Sequence, residues 1–311
     1  MLKKREKVKN VSSFISAFSE PLAGLVTLPQ HCTLSDVNNN GEYKLVVGHL
    51  GDGKSGFRLK VFAQTSLVHS PALLALPSAV VGFNIANGIK ALAVAAGSNI
   101  FIYKNLKPYF KYTLPELELN QVEKEAWIQA RQDKTDPASL RDILSQLSDQ
   151  LSQRSAAFLR TQPGSEDEVN FVEKYKEQPL AKTTSVVALA AMNRSIDDEN
   201  GLSVLLVGTE NKEVLIIDVE AFTILRKVCV ASVPVFISSY GLYDVEYHVT
   251  IICRDGHGYH FSRDSEVQDL FAMETHSVGL IQKGRFLYTA NTDGRFVQYT
   301  MKVIVMRKNF D

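Results

Sequence analysis

Net charge is the first thing missing. Across 311 residues, 34 Lys and Arg balance 34 Asp and Glu, so no overall field draws the chain to nucleic acid or to anionic lipid. No apolar run reaches the roughly 18 residues that cross a bilayer. Cysteine is scarce. Cys32, Cys229 and Cys253 stand far apart among apolar neighbours, which reads as buried free thiols in a reducing compartment and excludes a disulfide framework. The N-terminus carries Lys3, Lys4, Arg5, Lys7 and Lys9 with no apolar segment behind them, which excludes a secretory signal. Residues 1–20 therefore read as a solvated basic tail. The alternative is weak contact with an anionic membrane surface, worth about 1 kcal/mol per basic residue. G-x-S-x-G is absent, and no Ser-His-Asp or Cys-His arrangement can be assembled, so no nucleophile is assigned.

What is present is repetition. Leu205–Thr209 and Val214–Asp218 are two apolar runs around Glu210-Asn211-Lys212-Glu213, the pattern of a β-hairpin buried on both faces. Such a hairpin is marginal alone and needs neighbours of its kind. They recur at Tyr43–Gly48, Arg58–Phe62, Val80–Phe83, Ala91–Gly97, Asn99–Tyr103, Ser185–Leu189, Val233–Ile237, His248–Cys253, Tyr259–Phe261, Ser277–Ile281, Arg285–Ala290 and Arg295–Tyr299. Turn glycines mark a period. Gly48 and Gly97 are 49 apart, Gly208 and Gly256 are 48 apart, and Gly256 and Gly294 are 38 apart. Between Gly97 and Gly208 the interval is 111, and removing the 68 residues Pro115–Lys182 leaves 43. Short strands repeating every 40–50 residues predict propeller blades, with an ordinary β-sandwich as the alternative. The fold class is all-β, a propeller with about five blades present and an α-helical insertion. The expected organisation is a tail (1–20), blades one and two (21–114), a helical insertion (115–182) and blades three to five (183–311), the last incomplete.

The insertion carries helix starts. Asn120 with Glu123 is a capping box opening a helix through Trp127 to Arg131, Asp136-Pro137 is an N-cap with proline at the first helical position, and Ser165 with Glu168 is a third start. Leu140, Ile143, Leu144, Leu147 and Leu151 follow at helical spacing, an amphipathic stripe expected to pack on its own blade or to dock a partner. Trp127 is expected to anchor the packing.

Three chemical patterns are present. Gly48–Ser55 fits G-x-x-x-x-G-K-[ST], but phosphate binding also needs a helix after the serine, and Gly56–Phe62 alternates like a strand. Asp36-Val37-Asn38-Asn39-Asn40-Gly41 opens like a calcium loop, yet its twelfth position is Val47 where a bidentate Glu is needed, so an Asx turn is expected with a weak calcium site as the alternative. Cys253, His257 and His260 lack a fourth zinc ligand. No metal and no cofactor is assigned. Lys104, Lys107, Tyr109, Phe110, Lys111 and Tyr112 are expected on an outer strand, with partner contact as the second reading.

Several stretches resemble one family. They are Gly41–Gly48, Tyr103–Lys111, Gly208–Glu213, Glu220–Leu225 and Ser232–Phe236. Together they resemble the N-terminal region of the Bardet-Biedl syndrome protein 1 family, a BBSome subunit, from about Pro21 to about Tyr299. The resemblance implies a seven-bladed propeller with a helical insertion, in a coat-like complex that carries membrane proteins in and out of cilia. It implies a non-catalytic scaffold whose partners are other BBSome subunits, a GTP-bound Arf-like small GTPase and ciliary cargo tails, with membrane met only indirectly. It also implies cytoplasm, cilium, ciliary membrane and basal body as locations. Met301–Asp311 does not match the family, and a truncated chain with weakened GTPase binding is expected. Because the family's GTPase surface involves the first blade, Asn38, Asn39, Asn40, Glu42 and Lys44 are the candidate partner-binding residues. An adaptor of another vesicle coat and a P-loop nucleotide-binding protein are the alternatives.

Overall fold

The computed structural model describes residues 3–4, 24–53, 56–147, 151–284 and 286–300. The rest of the basic tail, Lys54 and Ser55 of the P-loop pattern, and Met301–Asp311 lie outside the described residues. The chain forms two compact units, residues 1–113 with 185–311, and Leu114–Thr184.

The first unit is a five-bladed β-propeller. It opens with the two-residue strand β1 (Lys3–Lys4). The first sheet is β2 (Cys32–Ser35), β3 (Lys44–His49), β4 (Arg58–Ala63) and β5 (Ser66–His69). The second is β6 (Ala79–Ile85), β7 (Ile89–Ala96), β8 (Asn99–Lys104) and β9 (Lys107–Thr113). The helical unit follows in sequence. The third sheet is β10 (Val186–Asn193), β11 (Ser203–Thr209), β12 (Glu213–Asp218) and β13 (Ile224–Cys229). The fourth is β14 (Pro234–Leu242), β15 (Glu246–Cys253), β16 (His257–Ser262) and β17 (Gln268–Ala272). The fifth is β18 (Ser277–Lys283), β19 (Phe286–Asn291) and β20 (Phe296–Thr300), and β1 pairs antiparallel with β20 as its fourth strand. All five are antiparallel meanders. Neighbouring sheets meet through their inner strands β2, β6, β10, β14 and β18, and β18 also meets the turn Pro29–His31 that leads into β2.

Burial explains the arrangement. Every position of β11 and β12 is buried, because their sheet is sandwiched between two others. One apolar cluster joins Val204, Leu206, Val214 and Ile216 of the third sheet to Tyr247, Val249, Ile251 and Phe261 of the fourth. Another joins Val46, Leu59 and Val61 of the first sheet to Val80, Leu92 and Val94 of the second. The outer strands tell the opposite story, since β5 is exposed throughout and β9 nearly so.

Two expectations change here. Gly48 and Gly208 lie inside β3 and β11, not in turns. Their role is close sheet approach, since a Cβ on Gly208 would sit 2.9 Å from Pro234 Cβ. Gly97, Gly256 and Gly294 are the turn glycines, each with positive φ. Of the three cysteines only Cys253 is buried. Cys32 begins β2 and Cys229 ends the outermost strand β13, places where an apolar neighbourhood in sequence does not become one in space.

The second unit holds α1 (Gln121–Arg131), α2 (Pro137–Ser145), α3 (Gln153–Leu159) and α4 (Glu166–Tyr175). Asn120, Asp136 and Ser165 are N-caps whose side chains accept backbone amides. Helix α2 ends at Ser145, so Leu147 and Leu151 lie beyond it. They nonetheless pack with Leu140 and Leu144 against Trp127 and Phe158 in the unit's own core, not on a blade as expected. Glu123 is fully buried and accepts from Ser152 N at 3.0 Å and Ser152 Oγ at 2.6 Å. Arg141 bonds Glu168 at 2.6 Å and the carbonyls of Leu159 and Thr161 at 3.0 Å. Burial raises the Glu168 carboxyl, but Arg141 and the Gly164 amide outweigh it and hold the group below its usual range.

Gly208→Ala forces Cβ against the rigid ring of Pro234 and is expected to destabilise the propeller by about 1–3 kcal/mol. Gly97→Ala has open space but a φ of 58°, and is expected to cost about 1 kcal/mol. Urea midpoints with unchanged slopes check both the sizes and the order.

Candidate functional site

The connection between β2 and β3 holds the predicted partner-binding residues. Val37 turns into the core at 2% exposure and pins the loop. Asp36 is buried, and its two oxygens accept the amides of Asn40 at 3.1 Å and Gly41 at 2.7 Å. Burial alone would raise its carboxyl. The amides of Asn40, Gly41 and Asn38 and the nearby Lys44 ammonium outweigh burial and hold it below its usual range. This is an Asx turn. Both Asp36 oxygens are engaged by backbone, and Val47 sits within β3. The positive charge beside them comes from Lys44. Its Nζ lies 3.7 Å from Glu42 Oε2 and has no hydrogen-bond partner among the described residues.

Asn39 locks this loop to the second sheet. It adopts a φ of 55°, a left-handed conformation that Asn tolerates. Its Oδ1 accepts Lys90 N at 2.6 Å and its Nδ2 donates to Asn105 Oδ1 at 3.1 Å. The third sheet joins through Glu199. Its carboxylate accepts the Tyr43 hydroxyl, and its carbonyl accepts Lys90 Nζ and, at 2.8 Å, Asn84 Nδ2. Asn84 also donates to Gly201 O at 2.9 Å, and its amide donates to Ser203 Oγ at 3.0 Å. Hydrogen bonding to Glu199, with some burial and the charges of Glu199 and Asp36, raises the Tyr43 phenol. Loops of three sheets thus form one fixed platform.

Asn38, Asn39, Asn40 and Glu42 are exposed on that platform. Lys44 is not, because it is 6% exposed and supports the loop from beneath. Tyr43, Lys90, Asn105 and Glu199 were missed by sequence reasoning. Only Asn105, with a φ of 49°, carried a local signal, the turn preference of Asn. The platform offers hydrogen-bonding groups and an aromatic ring with no nucleophile–base pair, which suits recognition of a partner surface.

The other patterns resolve as follows. Gly51 and Gly53 take positive φ in the β3–β4 connection, and strand β4 begins at Arg58 where a phosphate-binding helix would have to stand. Cys253 belongs to the buried face shared with Val249 and Ile251, whereas His260 pairs with Thr250 and so projects from the opposite face. His257 Nδ1 is engaged by Asp269 at 2.8 Å. Of the basic and aromatic stretch, Lys107, Tyr109, Phe110, Lys111 and Tyr112 lie on the outermost strand β9, whereas Lys104 ends β8. Pairing jumps from Ile102↔Phe110 to Tyr103↔Pro108, so Tyr109 is bulged. A bulge, Pro108, Lys107 and Lys111 are features that blunt an open strand edge. Phe110 packs on Phe222 at 4.3 Å between centroids.

The family model described as ciliary BBSome complex subunit 1 matches residues 14–262. Curated relatives from Homo sapiens and Mus musculus, both described as BBSome complex member BBS1, are 36% identical over 299 residues, 94% of this chain and 50% of theirs. The chain therefore spans about half the length of the curated relatives it matches. Crystal structures of BBS1N in complex with ARL6DN, soaked with lead or mercury, match with TM-scores of 0.63 and 0.64 at 24% identity. The alignments cover 92% and 93% of this chain and 73% of those chains. At that identity the likeness concerns the fold.

Asp36→Asn is expected to cost about 1–2 kcal/mol at pH 7, because it weakens the acceptor of two part-buried amides. The Asp36 carboxyl is lower in the folded state than its ordinary 3.8. Its contribution is therefore complete above that value and is lost as pH falls through it towards the folded value. Urea titrations of both proteins across that range should show the difference shrinking in acid.

Proposed function

The chain belongs to the ciliary BBSome complex subunit 1 family, and from that premise we propose that it is a non-catalytic scaffold of a BBSome whose propeller is read by an Arf-like small GTPase in its GTP form. The observation that carries this reading is the platform of loops from the first three sheets, held by Asn39, Tyr43 and Glu199. Rigid scaffolds present recognition residues on such loops. Asn38, Asn40 and Glu42 supply the contacts, and Lys44 and Asp36 keep the loop in shape beneath them. The crystallised BBS1N bound to ARL6DN supports a GTPase as the partner class. Membership of the complex brings the other subunits and the tails of ciliary membrane proteins as further partners. The corresponding locations are the cytoplasm, the basal body, the cilium and its membrane.

Titration of an Arf-like GTPase locked in either nucleotide state tests the proposal. The GTP form is expected to bind at least about tenfold more tightly, equivalent to about 1.4 kcal/mol. Asn38→Ala, at an exposed position, is expected to weaken it with little change in thermal unfolding. Equal affinity for both forms, or none even in a chain extended to the length of the relatives, would overturn it.

A further inference from the structure

We propose that Tyr43 is a site of phosphorylation by a tyrosine kinase, and that the phosphate parts two loops of the platform and weakens its hold on a partner. Three of the 11 tyrosines are exposed, Tyr43, Tyr109 and Tyr240. The hydroxyls of Tyr109 and Tyr240 make no hydrogen bond among the described residues, so a phosphate on either displaces none. Tyr43 differs, because its hydroxyl donates to the Glu199 carboxylate. Tyr43 stands in the connection from β2 to β3 and Glu199 in that from β10 to β11. Among the described residues no other hydrogen bond joins these two loops directly. The tyrosine is also reachable. Residues 38–43 are exposed without a break, and the carboxylate of Glu42 directly before the tyrosine suits a kinase whose substrate groove is basic.

In the transfer the Tyr43 oxygen attacks the γ-phosphorus of ATP. A P–O bond to the phenol oxygen forms, the bond to the β-phosphate oxygen breaks, ADP leaves, and the phenol proton passes to the kinase's base. The product carries a charge of about −1.5 to −2 at pH 7 and has no phenolic hydroxyl left to donate. Its surroundings have the wrong sign for it. The charges that bear on the Tyr43 phenol are those of Glu199 and Asp36, both negative. Of the platform's cations, Lys44 is buried beside Glu42, and Lys90 Nζ donates to the Glu199 carbonyl. Repulsion therefore replaces a hydrogen bond, and the two loops separate. The sheets stay in place. Asn39 still holds the first loop to the second sheet, and Asn84 still holds the carbonyls of Glu199 and Gly201. What is lost is the preorganisation of the recognition surface, and affinity falls with it. Only this last step rests on the platform's role in binding an Arf-like GTPase.

The test uses the full chain with phosphotyrosine placed at position 43 during translation, beside the unmodified chain. Hydrogen exchange at residues 195–200 is expected to quicken with the phosphate, with circular dichroism unchanged. Affinity for the GTP-locked GTPase is expected to fall at least about tenfold. Tyr43→Phe, which loses the hydrogen bond and gains no charge, should show a smaller change in both. Glu199→Gln should blunt the effect of the phosphate, because it removes the facing carboxylate. A tyrosine kinase selective for acidic substrates, given ATP and magnesium, should label the folded chain at Tyr43, as read by mass spectrometry. Labelling confined to the denatured chain, unchanged exchange in the phosphorylated chain, or GTPase binding of equal strength in both forms would overturn the proposal. Labelling and faster exchange in a chain that never binds the GTPase would refute that partner and still support the site.

Discussion

A four-stranded sheet with apolar residues on both faces cannot be stable by itself, because whichever side is left uncovered exposes its side chains to water. That constraint organises the propeller. The third sheet is buried at every position of β11 and β12, so it requires a neighbour on each side, and those neighbours inherit the same need. The approach is close enough that side chains are excluded at set places. Gly208 meets Pro234, Gly48 meets Val80, and Gly82 meets Ser35, each on the adjoining sheet. Once sheets interlock at this spacing, the loops at their ends are fixed in relation to one another without needing apolar residues of their own. Asn39, Tyr43, Lys90 and Glu199 can then make hydrogen bonds across three sheets at the surface.

The same constraint decides what could be read from the chain. The middle strands gave continuous apolar runs, and the hairpin of β11 and β12 was visible at once. Outer strands have no such mark. Ser66–His69 is exposed at every residue, and Gln268–Ala272 is at best half-buried, so neither offers a hydrophobic period to detect. The glycine spacing pointed to the right architecture while merging two kinds of position. Gly48 and Gly208 serve sheet contact, and Gly97, Gly256 and Gly294 serve turns. Together the two kinds supply one glycine to each of the five sheets, so the mixed set still returns a period near the blade length.

In the helical unit the starts were legible and the extents were not. Asn120, Asp136 and Ser165 cap helices because a side-chain oxygen bonding a free amide is a local event. The end of α2 at Ser145 is not local. Leu147 and Leu151 continue the helical spacing in sequence, but the chain has already turned there, and they reach the same core by a different path. Helix α3 was missed altogether. Its start rests on Ser152, which caps Ser155 and is itself held by the buried carboxylate of Glu123. Twenty-nine residues separate that pair, beyond the reach of any pattern in a short window.

The candidate surface shows this limit in its strongest form. Asp36 to Gly41 could be recognised as an Asx turn because the bonds span four or five residues. The contacts that turn the loop into a platform join residues 51, 66 and 156 positions apart. Nothing in the composition of Tyr43 or Glu199 marks them as partners. Recognition surfaces differ from catalytic sites in this respect. A nucleophile and its base must be particular residue types, so chemistry leaves a signature in sequence, whereas a docking platform needs only that compatible groups be held in place. Its residues are ordinary, and the information lies in the sheets that bring them together. For a propeller of this kind, family resemblance along the whole fold is therefore a better guide than any single motif. The P-loop pattern at Gly48 illustrates the point, since its letters fit and a strand occupies the place of the helix that would give them chemical meaning.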